Sequence, residues 1–167
     1  NEKFQFPKMY IEMDGLGWMD TNNNANNNLW LNDMEWYSCE EIRNYDYEEG
    51  EHQNIIPFAH TGGGDKWIWY LEDSDRLPVG LCYHDDYEGT FYAENIEGAI
   101  FRNILEFISN SCFYISPSEA KSYQLSITET RDFLLDWRNR FDKWFDVSWL
   151  KRSEERRVGK QCRYRWW

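Results

Sequence analysis

Between Asn54 and Tyr92 the chain divides into four short apolar segments, Asn54–His60, Trp67–Leu71, Pro78–Tyr83 and Thr90–Tyr92, separated by turn-forming or charged residues. Segments this short, rich in β-branched and aromatic residues, read as strands. The first two are joined by Thr61-Gly-Gly-Gly-Asp65, whose glycines admit positive φ, and the second pair by Glu72-Asp-Ser-Asp-Arg76. A parallel arrangement would need a crossover of about a dozen residues between neighbours, so the spacing predicts an antiparallel sheet. Trp67, Trp69 and Leu71 alternate with Ile68 and Tyr70, which places apolar side chains on both faces and predicts that this strand is central.

Helical patterning brackets the strands. Ser38-Cys-Glu-Glu41 has capping-box spacing and predicts a short helix over about 39–46. From Asn95, a plausible N-cap, Ile96, Ala99, Ile100, Ile104, Phe107 and Ile108 recur at intervals of three and four, the stripe of an amphipathic helix laid on a sheet. Ser116-Pro-Ser-Glu119 is another helix start, and Phe133, Leu134, Trp137, Phe141, Trp144 and Phe145 form a stripe over 128–145. Strands first and helices after them predict an α+β domain. Leu29-Trp-Leu31 reads as one more strand, while residues 1–28 are weakly patterned, end in an Asn-rich tract and are expected to have little fixed structure.

Composition narrows the classes of partner. The chain has 167 residues, 18 Lys+Arg against 30 Asp+Glu, and a formal charge of −12. That balance repels nucleic acid and anionic membrane surfaces at long range, so neither is expected as a partner. Aromatic residues make 19% of the chain, far above what a disordered acidic tail carries. No apolar run is long enough to span a bilayer and no secretory signal pattern is present. Cys39, Cys82, Cys112 and Cys162 show no CxxC spacing and read as free thiols, as expected in the cytoplasm.

The end of the chain reads as foreign to the rest. Arg152-Ser-Glu-Glu-Arg-Arg-Val-Gly-Lys160, with the Cys, Arg and Trp that follow, resembles the conceptual translation of a sequencing adapter, with Gln161, Tyr164 and Trp167 departing from it. A natural basic tail is the competing reading. Setting residues 152–167 aside leaves a single expected domain over 29–151 and removes six basic and two acidic residues, so the remainder is more acidic still.

Ile55-Ile-Pro-Phe-Ala-His-Thr-Gly-Gly-Gly-Asp-Lys-Trp-Ile-Trp69, then Pro78-Val-Gly-Leu-Cys-Tyr-His-Asp85, then Tyr92-Ala-Glu-Asn95 opening a helix, resembles the core of the SUKH superfamily. That superfamily contains the Smi/Knr cell-wall regulators and bacterial immunity proteins that neutralise polymorphic toxins. The resemblance spans roughly Leu29 to Ile108 and lacks the family's usual helical start. It implies a small SUKH-like α+β domain with a largely antiparallel sheet, a cytoplasmic location, and a non-catalytic role as an immunity protein binding a cognate toxin domain. A Smi/Knr-like regulatory scaffold is the alternative within the same resemblance. It brings no catalytic residue and no cofactor.

Read for chemistry, His60, Asp65, His84, Asp85 and Asp86 could ligate a metal or act as acid and base, which would make a metal-dependent hydrolase on His60, Asp65 and His84. The plainer reading is a tight glycine turn beside a solvated acidic loop, since no HExxH or other dense ligand spacing occurs and no metal is expected. Cys82 reads as a small buried strand residue, and the triglycine lacks a phosphate-loop context. Trp30, Trp36 and Tyr37 are read as exposed near loops. The candidate partner-binding residues are Asp65, Trp67, Asp73, Asp75, His84, Asp85, Asp86 and Glu88. With the run Asp46, Glu48, Glu49 and Glu51, these carboxylates are either a solvated face or a surface that steers a basic partner, such as a nuclease toxin.

Overall fold

A computed structural model describes residues 4–19, 34–48, 50–51, 54–71, 76–85, 89–111 and 127–149. Its element order is α1 (Lys8–Gly15), β1 (Glu35–Trp36), α2 (Cys39–Arg43), β2 (Ile55–His60), β3 (Lys66–Tyr70), β4 (Val79–Cys82), β5 (Gly89–Ala93), α3 (Ile96–Ser111) and α4 (Ile127–Phe141). The strands form one sheet in sequential order, β1-β2-β3-β4-β5, and every neighbouring pair is antiparallel. The α+β expectation and the central place of the third strand therefore hold. Leu29–Leu31, the Ser116 helix start and residues 152–167 lie outside the described residues.

Alternation along each strand sends Ile56, Phe58, Trp67, Trp69, Val79 and Tyr92 into one core with α1, α3 and α4, where Met9, Tyr10, Met13, Ile96, Ala99, Ile100, Ile104, Trp137 and Phe141 meet them. Pro57 lacks a ladder donor and sits inside a strand with two neighbours. A register shift between Pro57 and Ala59 accommodates it. The caps follow the sequence signals: Ser38 and Glu41 close a reciprocal capping box, and Asn95 Oδ1 accepts from the Gly98 N–H at 2.8 Å.

Two expectations are corrected. Residues 4–19 are not loosely structured: α1 buries Met9, Tyr10 and Met13, and the Tyr10 hydroxyl lies 2.5 Å from the Tyr37 carbonyl and 2.8 Å from that of Phe58. Burial holds the Tyr10 phenol well above its usual pKa. Trp36 is buried rather than exposed, because its strand pairs with β2 and its ring meets those of Tyr10 and Phe58. The two remaining predicted helices are shorter than their patterns, α2 stopping at Arg43 and α4 at Phe141.

The opposite face of the sheet positions the site. Ile68 is buried there, and Tyr70 lies flat over β4 and β5. A Cβ at Gly80 would stand 2.5 Å from the Tyr70 ring, and one at Gly89 2.9 Å from its hydroxyl, so both positions need glycine for the ring to rest. Phe91 on the same face is 62% exposed. Among the described residues no helix is long and apolar enough to cross a membrane.

Candidate functional site

The turn between β2 and β3 is closed by its own backbone. Thr61 N–H donates to the Asp65 carbonyl at 2.8 Å, Asp65 N–H donates to Thr61 Oγ1 at 3.1 Å, and Gly64 adopts φ of +94°. A Cβ at Gly64 would come 3.6 Å from His84 Cγ, so the imidazole rests against this glycine. Asp65 Oδ1 accepts from the His84 backbone N–H at 3.1 Å and lies 2.8 Å from Nδ1, while Nε2 lies 2.8 Å from Asp85 Oδ1. Both ring nitrogens thus face a carboxylate, an arrangement that the imidazolium satisfies with two donated bonds. Hydrogen bonds from His84 hold the Asp65 carboxyl below its usual pKa.

Facing this rim, the segment after α2 passes over the outer sheet face and is held by Lys66. The Lys66 ammonium lies 2.5 Å from Glu51 Oε1, 3.4 Å from Glu48 Oε1, and 5.7 Å from the centre of the Tyr45 ring. Glu51 accepts in addition from the Tyr45 hydroxyl and, at 2.7 Å, from the Glu48 N–H, while the Tyr47 hydroxyl donates to the Ile55 carbonyl. The Glu51 side chain is only 4% exposed, and that of Glu48 67%. Burial alone would lower the Lys66 pKa, but the hydrogen bonds with Glu51 and Tyr45 outweigh it and raise the value. Between this segment and the end of β4 lies a cleft of about 240 Å3, walled by Glu48, Glu51, Lys66, Cys82, Tyr83 and His84.

The structure gathers Asp65, His84 and Asp85 from the predicted set into one rim. It removes Trp67, which is 4% exposed and packs edge-on against Tyr92 at 4.5 Å on the core side, so it is not available to a partner. Asp73, Asp75, Asp86 and Glu88 lie outside the described residues. His60 and His84 engage different carboxylates: His60 Nε2 lies 3.6 Å from Glu35, and His84 sits between Asp65 and Asp85. Among the described residues no three His, Cys, Asp or Glu side chains converge as a metal-holding group. Cys39 is a buried thiol, and Cys82 is partly exposed rather than buried. Sequence reasoning missed Lys66 and Tyr83. The available signal for Lys66 was a lone cation opening an otherwise apolar central strand, with an acidic run upstream to receive it.

Fold and site together define an α+β domain with a meander sheet, helices on one face and an acidic, aromatic-flanked cleft on the other. No protein-family model matches the chain, and no curated protein or solved structure matches it.

Proposed function

We propose that this chain is a non-catalytic binding protein of the SUKH immunity type, which blocks a basic toxin domain by docking it on the outer face of the sheet. The observation that carries the reading is a cleft shared by Glu48, exposed Tyr83 and His84, with Asp65 and Asp85 bonded to that imidazole and Phe91 exposed on the same sheet. Carboxylates at a rim speed the encounter with a cationic surface, and exposed aromatic rings supply the buried contact that follows. A formal charge of −12 extends that attraction over the whole molecule.

Co-expression with the toxin domain encoded beside the gene tests this reading. The chain should restore growth, and the complex should form more slowly as salt rises. Joint replacement Asp65→Lys, Asp85→Lys and Glu48→Lys should cut the association rate by about tenfold or more, measured at a temperature where circular dichroism shows the variant folded. Full rescue by the folded triple variant would refute the acidic-face reading.

A further inference from the structure

His84 stands between two carboxylates of unequal hold. Asp65 belongs to the turn between β2 and β3, where its backbone is tied to Thr61 through both its carbonyl and its N–H. Its Oδ1 accepts from the His84 backbone N–H at 3.1 Å and also faces the ring at Nδ1, 2.8 Å away, from a side chain 26% exposed. Asp85 meets the other ring nitrogen, Nε2, at 2.8 Å from a side chain 84% exposed. Behind the ring lies Gly64, where a Cβ would come 3.6 Å from His84 Cγ, so the imidazole is seated on the turn that carries Asp65.

An imidazolium donates from both ring nitrogens and satisfies both carboxylates, whereas a neutral imidazole has one N–H and one lone pair. A lone pair facing a carboxylate oxygen at hydrogen-bond distance is repelled, so one of the two contacts opens when the proton leaves. Asp65 keeps the hydrogen, because the His84 backbone N–H holds the same oxygen in place, while Asp85 returns to water at low cost. We propose that His84 is a proton-operated clamp: charged, it pins Asp85 and the loop that Asp85 opens against the β2–β3 turn; neutral, it keeps Asp65 through Nδ1–H and lets Asp85 go. Glu48, Glu51, Lys66, Cys82 and Tyr83 share the cleft wall with the ring. Of these side-chain types, carboxylates ordinarily titrate below about pH 5 and thiols, phenols and amines above about pH 8, which leaves the imidazole as the group that changes charge between. Asp86 and Glu88, next in the chain and outside the described residues, carry charge of the same sign as Asp65 and Asp85 and favour the same protonated form. On the alkaline side of the transition the rim gains one negative charge and a released carboxylate, so proton uptake by one ring sets how acidic this face is. The clamp is a property of the free chain and stands apart from the immunity reading.

Proton–nitrogen correlation spectra of the full chain, recorded between about pH 5 and 8, test the clamp. The His84 ring signals, assigned by their loss in His84→Gln, should titrate in this window and report the Nδ1–H tautomer once the ring is neutral. Over the same transition the heteronuclear NOE of the Asp85 amide should fall as pH rises, while those of Gly64 and Asp65 hold. Asp85→Asn should lower the His84 midpoint by about half a pH unit, the size expected of an exposed pair, and leave the tautomer as it was. Asp65→Asn should move the neutral ring toward the Nε2–H form, since Asp85 is then the better acceptor. A ring that does not titrate in this window, an Nε2–H tautomer in the unsubstituted neutral chain, an Asp85 amide whose mobility ignores pH, or an unmoved midpoint in Asp85→Asn would each overturn the proposal.

Discussion

Replacing Lys66 with methionine tests whether one cation fastens the segment after α2 to the sheet. The substitution keeps the side-chain length but leaves Glu51, 4% exposed, as an unpaired buried carboxylate beside Tyr45. Breaking a buried pair by removing one partner costs about 3–5 kcal/mol. Lys66 keeps 17% of its side chain in water, which places the expected loss near the lower end, about 3 kcal/mol. For a chain of this length that corresponds to a fall of roughly 6–12 °C in thermal midpoint. The double variant Lys66→Met with Glu51→Met removes both charges and should recover about 2 kcal/mol or more of the loss. The pH dependence has a defined sign. The folded pKa of Lys66 is raised, so its stabilisation is complete below the unfolded value of about 10.4 and fades as pH climbs through the folded one. The gap between wild type and Lys66→Met should therefore be constant over neutral pH and narrow in strong alkali. Urea denaturation of the four proteins of the cycle measures it. A single variant within 1 kcal/mol of wild type, or a double variant as unstable as the sum of the singles, would refute the latch.

Gly80→Ala should cost about 1–3 kcal/mol, since its methyl would enter the Tyr70 ring, and much less in a Tyr70→Ala background; an equal cost in both backgrounds, read from urea midpoints, would sink the packing argument. Asp65 has a lowered folded pKa, so it stabilises the fold above about pH 4 and that contribution is lost as pH falls through the folded value. His84→Ala should flatten this part of the acid unfolding curve, and an unchanged curve would contradict the pairing. The Cys39 thiol is pushed up to about 12 by burial and by its hydrogen bond with Asp14, whereas Cys82 is partly exposed. In a Cys112→Ser, Cys162→Ser background, a thiol reagent at pH 8 should label Cys82 before Cys39, and the reverse order by mass spectrometry would refute the assigned environments.

Much of the architecture could be read from the chain because its signals are local. Turn residues at 61–65, the capping box at Ser38 and the Asn95 cap each act within a few residues, and the structure places elements where those signals point. The failures share the opposite property. In α1, Met9, Tyr10 and Met13 sit among charged residues without a wide apolar stripe, and Tyr10 is worth burying only once distant partners exist, the rings of Trp36, Phe58 and Trp69 for its own ring and the carbonyls of Tyr37 and Phe58 for its hydroxyl. The two-residue β1 exists only as a partner of β2. Trp67 stands among the candidate partner-binding residues because the alternation puts apolar side chains on both faces of its strand without saying which face helices cover, and that is settled only once register and packing are set. At the site, the acidic residues were visible as a run, but their meeting with Lys66 joins residues 15 apart across the outer sheet face.

Tyr10 reaches the Phe58 carbonyl across 48 positions of sequence. As the chain leaves the ribosome, α1 emerges before the sheet and has nothing to dock on until β2 and β3 exist, whereas each strand of the meander finds its neighbour as soon as it is made. A helix made before the sheet is thus a late piece of the folded domain, a clasp that closes over Phe58 and Trp69 after the sheet has formed. Its contacts belong to the slow escape from the native state more than to the speed of reaching it.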